Sequence, residues 1–113
     1  MNTTTPSWPS SWLKGFLEVA VLAVIADGET YGYEITSRLD AAGFSGVKGG
    51  TLYPILGRLE EAGHVDTEWR AGDSGPGRKY YRITPDGRAS LRERATTWRG
   101  FADHLTSLLK DHS

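Results

Sequence analysis

Chemistry-bearing side chains gather in a few short stretches of this 113-residue sequence. Arg78, Lys79 and Arg82 cluster with Tyr80 and Tyr81 interleaved, a mixture of cations and rings that suits phosphate contact, and Lys48 and Arg58 lie upstream. Against them stand Glu60, Glu61, Asp66, Glu68 and Asp73; over the whole chain, 13 Lys and Arg oppose 14 Asp and Glu, a net charge of −1. Any anion-binding patch is therefore local. Enzymatic chemistry finds no coherent constellation of acid, base and nucleophile. Gly72-Asp73-Ser74-Gly75-Pro76 sets a serine as a chymotrypsin-like protease would, but that mechanism needs two barrels and a partner His and Asp on a chain about twice as long. Gly75-Pro76-Gly77-Arg78-Lys79 lacks the Lys-Ser/Thr ending of a phosphate loop and lies between strands instead of opening a helix. His64, His104 and His112 are neither three nor four apart and there is no cysteine, so no metal site, cofactor or catalytic residue is expected.

These side chains need a scaffold, and periodicity supplies one. Four Trp, five Tyr, three Phe and 38% hydrophobic residues indicate one folded domain. Residues 1–11, with Pro6 and Pro9, read as a flexible arm. From Leu13, apolar residues recur at Phe16, Leu17, Ala20, Val21, Val24 and Ile25, a helical spacing with Ser10 or Ser11 as cap. Val19, Leu22 and Ala23 make its other faces apolar too, which hints at burial on two sides. Thr30 can cap a second helix over Tyr31–Ala42, ended by Gly43. Leu52, Ile55, Leu56, Leu59 and Ala62 mark a third, which starts either at Thr51, with Pro54 in its first turn, or near Lys48, with a bend at Pro54 opposite Gly50. Val65, Thr67 and Trp69 alternate as one strand, Tyr81 and Ile83 as another, joined by the loop Ala71–Arg78. Thr84-Pro85-Asp86-Gly87 opens a last helix that runs to about Lys110. The longest apolar run, Phe16–Ala26, has 11 residues and contains Glu18, whereas a membrane span needs about 20. With no basic leader before that run, a cytoplasmic location and no membrane partner are expected.

On the last helix Leu91, Ala95, Trp98, Ala102, Leu105 and Leu109 recur at heptad spacing, flanked by Phe101 and Leu108, with Gly100 mid-helix. About 24 residues at ~1.5 Å each give a rod of some 36 Å, longer than the rest of the chain can cover. A second copy of the same helix is the economical cover, so this seam predicts a homodimer.

Three helices, a two-stranded hairpin and a closing helix make a mostly α fold with a two-stranded β wing, a winged helix-turn-helix (residues 12–84) followed by a dimerisation helix (85–113). In such a fold helix 3 enters the major groove and the wing reaches the backbone beside it. The candidate contacts to a double-stranded DNA operator are Tyr31, Lys48, Thr51, Tyr53, Arg58, Arg78 and Lys79. A winged-helix adaptor that has lost DNA affinity and captures a helical partner through its last helix is the alternative.

Three motifs add a resemblance. Tyr31-Gly32-Tyr33-Glu34-Ile35, Gly50-Thr51-Leu52-Tyr53-Pro54-Ile55-Leu56 with Arg58-Leu59-Glu60-Glu61-Ala62-Gly63, and Gly77-Arg78-Lys79-Tyr80-Tyr81-Arg82-Ile83-Thr84 are similar, in order and spacing, to the signatures of PadR-type transcriptional regulators, over about Leu13–Leu91. The resemblance implies a dimeric repressor, often of a transporter or detoxification gene, released from DNA by a small molecule. A single C-terminal helix resembles the small subfamily, whose multidrug-responsive members hold flat aromatic effectors between paired tryptophans at the dimer centre. Trp98 matches that tryptophan, with Trp12, Gly15, Val19 and Phe101 as the implied remainder of the ligand site. Lys48-Gly49 replaces the Ser/Thr and Pro/Gln common at the start of helix 3, and Ala102 replaces an acid common after the tryptophan, so a preference for cationic effectors is not implied.

Overall fold

The computed structural model describes residues 10–72 and 75–112. Most of the expected arm, residues 1–9, lies outside the described residues, as do Asp73 and Ser74 of the wing tip. The elements run α1 (Ser10–Ala26), β1 (Thr30–Tyr31), α2 (Gly32–Ala41), α3 (Gly49–Glu61), β2 (Val65–Arg70), β3 (Arg78–Ile83) and α4 (Pro85–Leu109). Helix α1 opens at Ser10, inside the range read as an arm.

Apolar periodicity dictates the core. Leu17, Val21, Leu22 and Ile25 of α1 meet Ile35 and Leu39 of α2 and Leu52, Ile55, Leu56 and Leu59 of α3, and Val65 and Tyr81 close the cluster from the sheet. Helices α2 and α3 end at glycines in the left-handed region, Gly43 at φ +101° and Gly63 at φ +77°, which a residue with a Cβ adopts only at a cost.

Two details differ from the sequence expectation, and a third settles an open alternative. The sheet has three strands in the order β1-β3-β2, because Thr30 and Tyr31 pair antiparallel with Tyr81 and Tyr80. Thr30 is consequently a buried strand residue and not the cap of α2; its hydroxyl donates to Glu34 Oε1 at 2.6 Å. Tyr31 takes the cap position without a side-chain hydrogen bond, and α2 opens at Gly32. Helix α3 adopts the earlier of its two starts: Lys48 is the cap residue, and its carbonyl accepts from the Thr51 and Leu52 amides at 2.9 and 2.8 Å. Pro54 lies inside the helix, where its missing N–H leaves the Gly50 carbonyl without its helical donor.

The wing pairs Val65 with Ile83 through to Arg70 with Arg78, so Arg78 belongs to the strand and the tip spans 71–77. Thr84 joins wing to α4. Its amide donates to the His64 carbonyl at 3.0 Å, its hydroxyl donates to the Gly63 carbonyl at 2.7 Å, and the same oxygen accepts from the Gly87 amide at 3.0 Å. Gly87 is buried there, and a Cβ on it would strike the His64 carbonyl oxygen. Helix α4 then runs for 25 residues, about 37 Å. No described helix is long and apolar enough to cross a membrane.

Candidate nucleic-acid interface

Helix α3 buries Leu52, Ile55, Leu56 and Leu59 and turns its other side outward. At 100° per residue the centre of that outward side falls on Gly50, Pro54, Gly57 and Glu61, all exposed. Up to Glu61 in the last turn, it is nearly bare of side chains. Thr51 and Arg58 form one flank; Tyr53 and Glu60 form the other, toward the wing. Lys48, exposed at the N-terminal end, has no salt-bridge partner among the described residues.

Between α3 and the wing lies a cleft of about 740 Å³, lined by Tyr31, Tyr33, Tyr53, Gly57, Trp69, Arg78 and Lys79, among others. Of the seven expected DNA contacts, Tyr31, Tyr53, Arg78 and Lys79 meet here. The Tyr53 hydroxyl rests over Gly32, where a Cβ would strike it, which fixes the ring between α2 and α3. The Arg78 guanidinium carbon sits 4.5 Å from the Tyr31 ring centroid, and Tyr31 meets Tyr80 edge-on at 5.4 Å.

Charge in the cleft is partly neutralised internally. Lys79 Nζ donates to Glu60 Oε1 at 3.0 Å, and the Thr67 hydroxyl donates to Glu60 Oε2 at 2.9 Å. Lys79, and then Thr67, hold the Glu60 carboxyl below the usual carboxylate range, and Glu60 in turn raises Lys79. Behind the cleft, burial pushes the Tyr81 phenol up. Arg58 lies apart from this group. Its Nε is 3.7 Å from Glu18 Oε2 of α1, and Glu18 Oε1 accepts from Arg94 of α4 at 3.4 Å. On the outer side of the sheet, Glu29 pairs with Arg70 at 2.6 Å and Arg82 at 3.2 Å.

A second hollow, of about 640 Å³, opens between α1 and α4; Gly15, Val19, Trp98 and Phe101 line it together with Phe16, Phe44 and Arg94. Trp98 lies 4.5 Å from Phe16 and stacks at 5.7 Å and 26° on Phe101. Trp12 does not line the hollow but is 58% exposed on the same helix as Gly15 and Val19. Along the seam, Leu91 packs against the core of its own chain, Ala95 and Ala102 are half-buried, and Trp98, Leu105 and Leu109 stay exposed at 42%, 43% and 54%.

Sequence reasoning missed Trp69 and Tyr33 as cleft residues. Trp69 alternates with Val65 and Thr67 as a core residue would, yet it is 70% exposed, because the strand runs past the end of the core. Glu60 was counted only as balancing charge and Glu18 only as an interruption of an apolar run, since their partners are 19 and 76 residues away.

Comparison with known proteins agrees with this geometry. Residues 21–93 match the Transcriptional regulator PadR-like family. Transcriptional regulator Rv3488 of Mycobacterium tuberculosis is 45% identical over 73 residues, 65% of this chain and 66% of that protein. A PadR family transcriptional regulator from Eggerthella lenta superposes with a TM-score of 0.80 at 35% identity, over 88% of this chain and 87% of that one. A PadR-like transcriptional regulator from Bacillus cereus gives 0.77 at 36% identity, over 88% and 96%.

Proposed function

Because the chain belongs to the PadR-like family of transcriptional regulators, we propose that it is a cytoplasmic homodimeric repressor that binds an operator through α3 and the wing and is tuned by a planar aromatic effector. The observation that carries this is the separation of two surfaces on one chain: a bare helix face beside a cationic, aromatic cleft at one end, and exposed Trp98, Phe101, Leu105 and Leu109 on α4 at the other.

The first surface suits duplex DNA. A helix with a flat outward side fits the major groove, and Arg78, Lys79 and Lys48 supply cations for phosphates. Net neutrality is no obstacle, because phosphate contacts add across two copies. The second surface suits a copy of itself. Exposed apolar residues at heptad spacing along about 37 Å of helix find cover against the same helix related by a two-fold axis. In that arrangement the hollow lined by Phe16, Trp98 and Phe101 faces its counterpart, and a planar aromatic molecule can stack there. A transporter or detoxification gene is the target that suits such an effector.

Selection of genomic fragments by the purified protein, followed by salt titration, tests the DNA reading. Specific fragments should emerge, and affinity should fall steeply with salt. Lys79→Ala should weaken selected and random duplexes about equally and lower the salt slope by about 1 for each phosphate that the lysine neutralises. The pairing of Lys79 with Glu60 and of Arg58 with Glu18 favours the adaptor alternative, which would show as no DNA binding and a helical partner held almost independently of salt.

A further inference from the structure

We propose that the cleft between α3 and the wing seats one deoxyribose-phosphate strand of the duplex, with Gly57 as a floor kept free of any side chain and Trp69 as a wall that packs on the sugars, an inference which rests on the DNA-binding reading above. Gly57 is a helix-interior residue, a position where glycine is the poorest choice after proline. Two other glycines have a reason to be there: a Cβ on Gly32 would strike the Tyr53 hydroxyl, and one on Gly87 the His64 carbonyl. Gly57 has neither that reason nor a positive φ. Outside the helix's own backbone and the two flanking residues, nothing lies within 4 Å of where its Cβ would stand. Fold stability alone would favour alanine here, as it would at Gly15, Gly50 and Gly100, but of these only Gly57 lines the cleft. What a side chain at 57 would occupy is the cleft, which Gly57 lines between Tyr53 and Glu60 on one helix and Trp69, Arg78 and Lys79 on the wing.

Trp69 supplies the opposite wall. It stands across from Lys79 in the β2–β3 register, so an apolar ring and a cation share one rim. A nucleic-acid backbone presents the same alternation, apolar sugar carbons between charged phosphates, and aromatic side chains can pack on the sugar as cations meet the phosphate. An apolar peptide matches the tryptophan but brings no anion for Arg78, whose guanidinium rests on the Tyr31 ring.

The test uses the full-length protein, a fluorescein-labelled duplex recovered by genomic selection, and a scrambled duplex of equal length. Gly57→Ala should melt several degrees above the parent yet bind the selected duplex at least tenfold more weakly, with an unchanged slope of log affinity against log salt. Trp69→Ser should lose about five- to fiftyfold, again without a change of slope, and Trp69→Phe should recover most of it. Parent-like binding by Gly57→Ala or Trp69→Ser overturns the proposal, and so does a lower melting temperature for Gly57→Ala, which would give the glycine a structural reason. A slope lowered by about one marks a phosphate no longer neutralised and overturns the role given to Trp69. A parent that binds neither duplex overturns the DNA-binding reading itself.

Discussion

Glu60→Gln is expected to tighten the hold on DNA. Lys79 is bound to Glu60 at 3.0 Å in the free chain, so every phosphate that Lys79 takes must be taken from that carboxylate. Both side chains remain partly exposed, 30% for Lys79 and 40% for Glu60, which puts the pair among those worth about 0.2–1 kcal/mol. In the proposed dimer, two protomers on one operator would double this to about 0.4–2 kcal/mol, roughly 2- to 30-fold in affinity. Lys79 meets its phosphate in parent and variant alike, so the slope against log salt should stay the same while the affinity rises. Fluorescence anisotropy at four or five potassium chloride concentrations measures both quantities. Melting should change little, because the amide oxygen still accepts from Thr67. Weaker binding by a variant that melts like the parent would refute the competition, since the carboxylate would then be holding Lys79 in its binding pose or touching the DNA. Acid offers a second view. Lys79 and Thr67 hold the Glu60 carboxyl down, so the pair stabilises the fold above the ordinary carboxylate pKa and is lost as pH falls through the lowered value. Parent and variant should converge in that window.

Trp98→Ala should weaken a planar dye by about 1–3 kcal/mol, roughly 5- to 150-fold, by analogy with base stacking on aromatics, and leave dye-free DNA binding unchanged; calorimetry showing equal dye affinity would leave Trp98 as packing only. Leu105→Glu combined with Leu109→Glu places charge on two side chains already 43% and 54% exposed, so folding should survive while light scattering at micromolar concentration shows a monomer; a persistent dimer would move the seam elsewhere. Gly87→Ala should lower stability by about 1–3 kcal/mol in urea titration despite alanine's better helix propensity, because the new methyl meets the His64 backbone. A neutral result would mean that α4 can shift away from the wing at no cost.

Long periodic stretches were legible in the sequence. The stripe from Leu17 to Ile25, the run from Leu52 to Leu59 and the alternation around Val65 and Tyr81 bury most of the residues their spacing marks, Phe16 and Trp69 excepted. Elements too short to show a period were not. Strand β1 has two residues, and nothing local distinguishes Thr30 as a strand residue from Thr30 as a cap, since both are extended and both use the hydroxyl. The start of α3 was ambiguous for a related reason: a lysine at the cap leaves no side-chain signature, and Pro54 fits either frame. The candidate site was legible as composition but not as pairing. Arg78, Lys79 and Tyr53 are visible as a basic and aromatic set, whereas the Glu60–Lys79 and Glu18–Arg58 pairs join residues that only the folded chain brings together. Trp69 went unnoticed because alternation reports the face of a strand and not how far the core extends beneath it.

The Thr84 joint has a mechanical consequence. Two hydrogen bonds tie Thr84 to Gly63 and His64, just past the end of α3, and a third caps α4 through the Gly87 amide, so the long helix behaves as an arm welded to the end of α3. Over about 37 Å, a rotation of 10° at one end displaces the other by roughly 6 Å, close to two base-pair steps at 3.4 Å. In the proposed dimer, a small change of angle where two α4 helices cross would be magnified into a mismatch with half-sites one helical turn apart. A ligand bound near Trp98, some way along that arm, would need only to alter that angle to change the register on DNA.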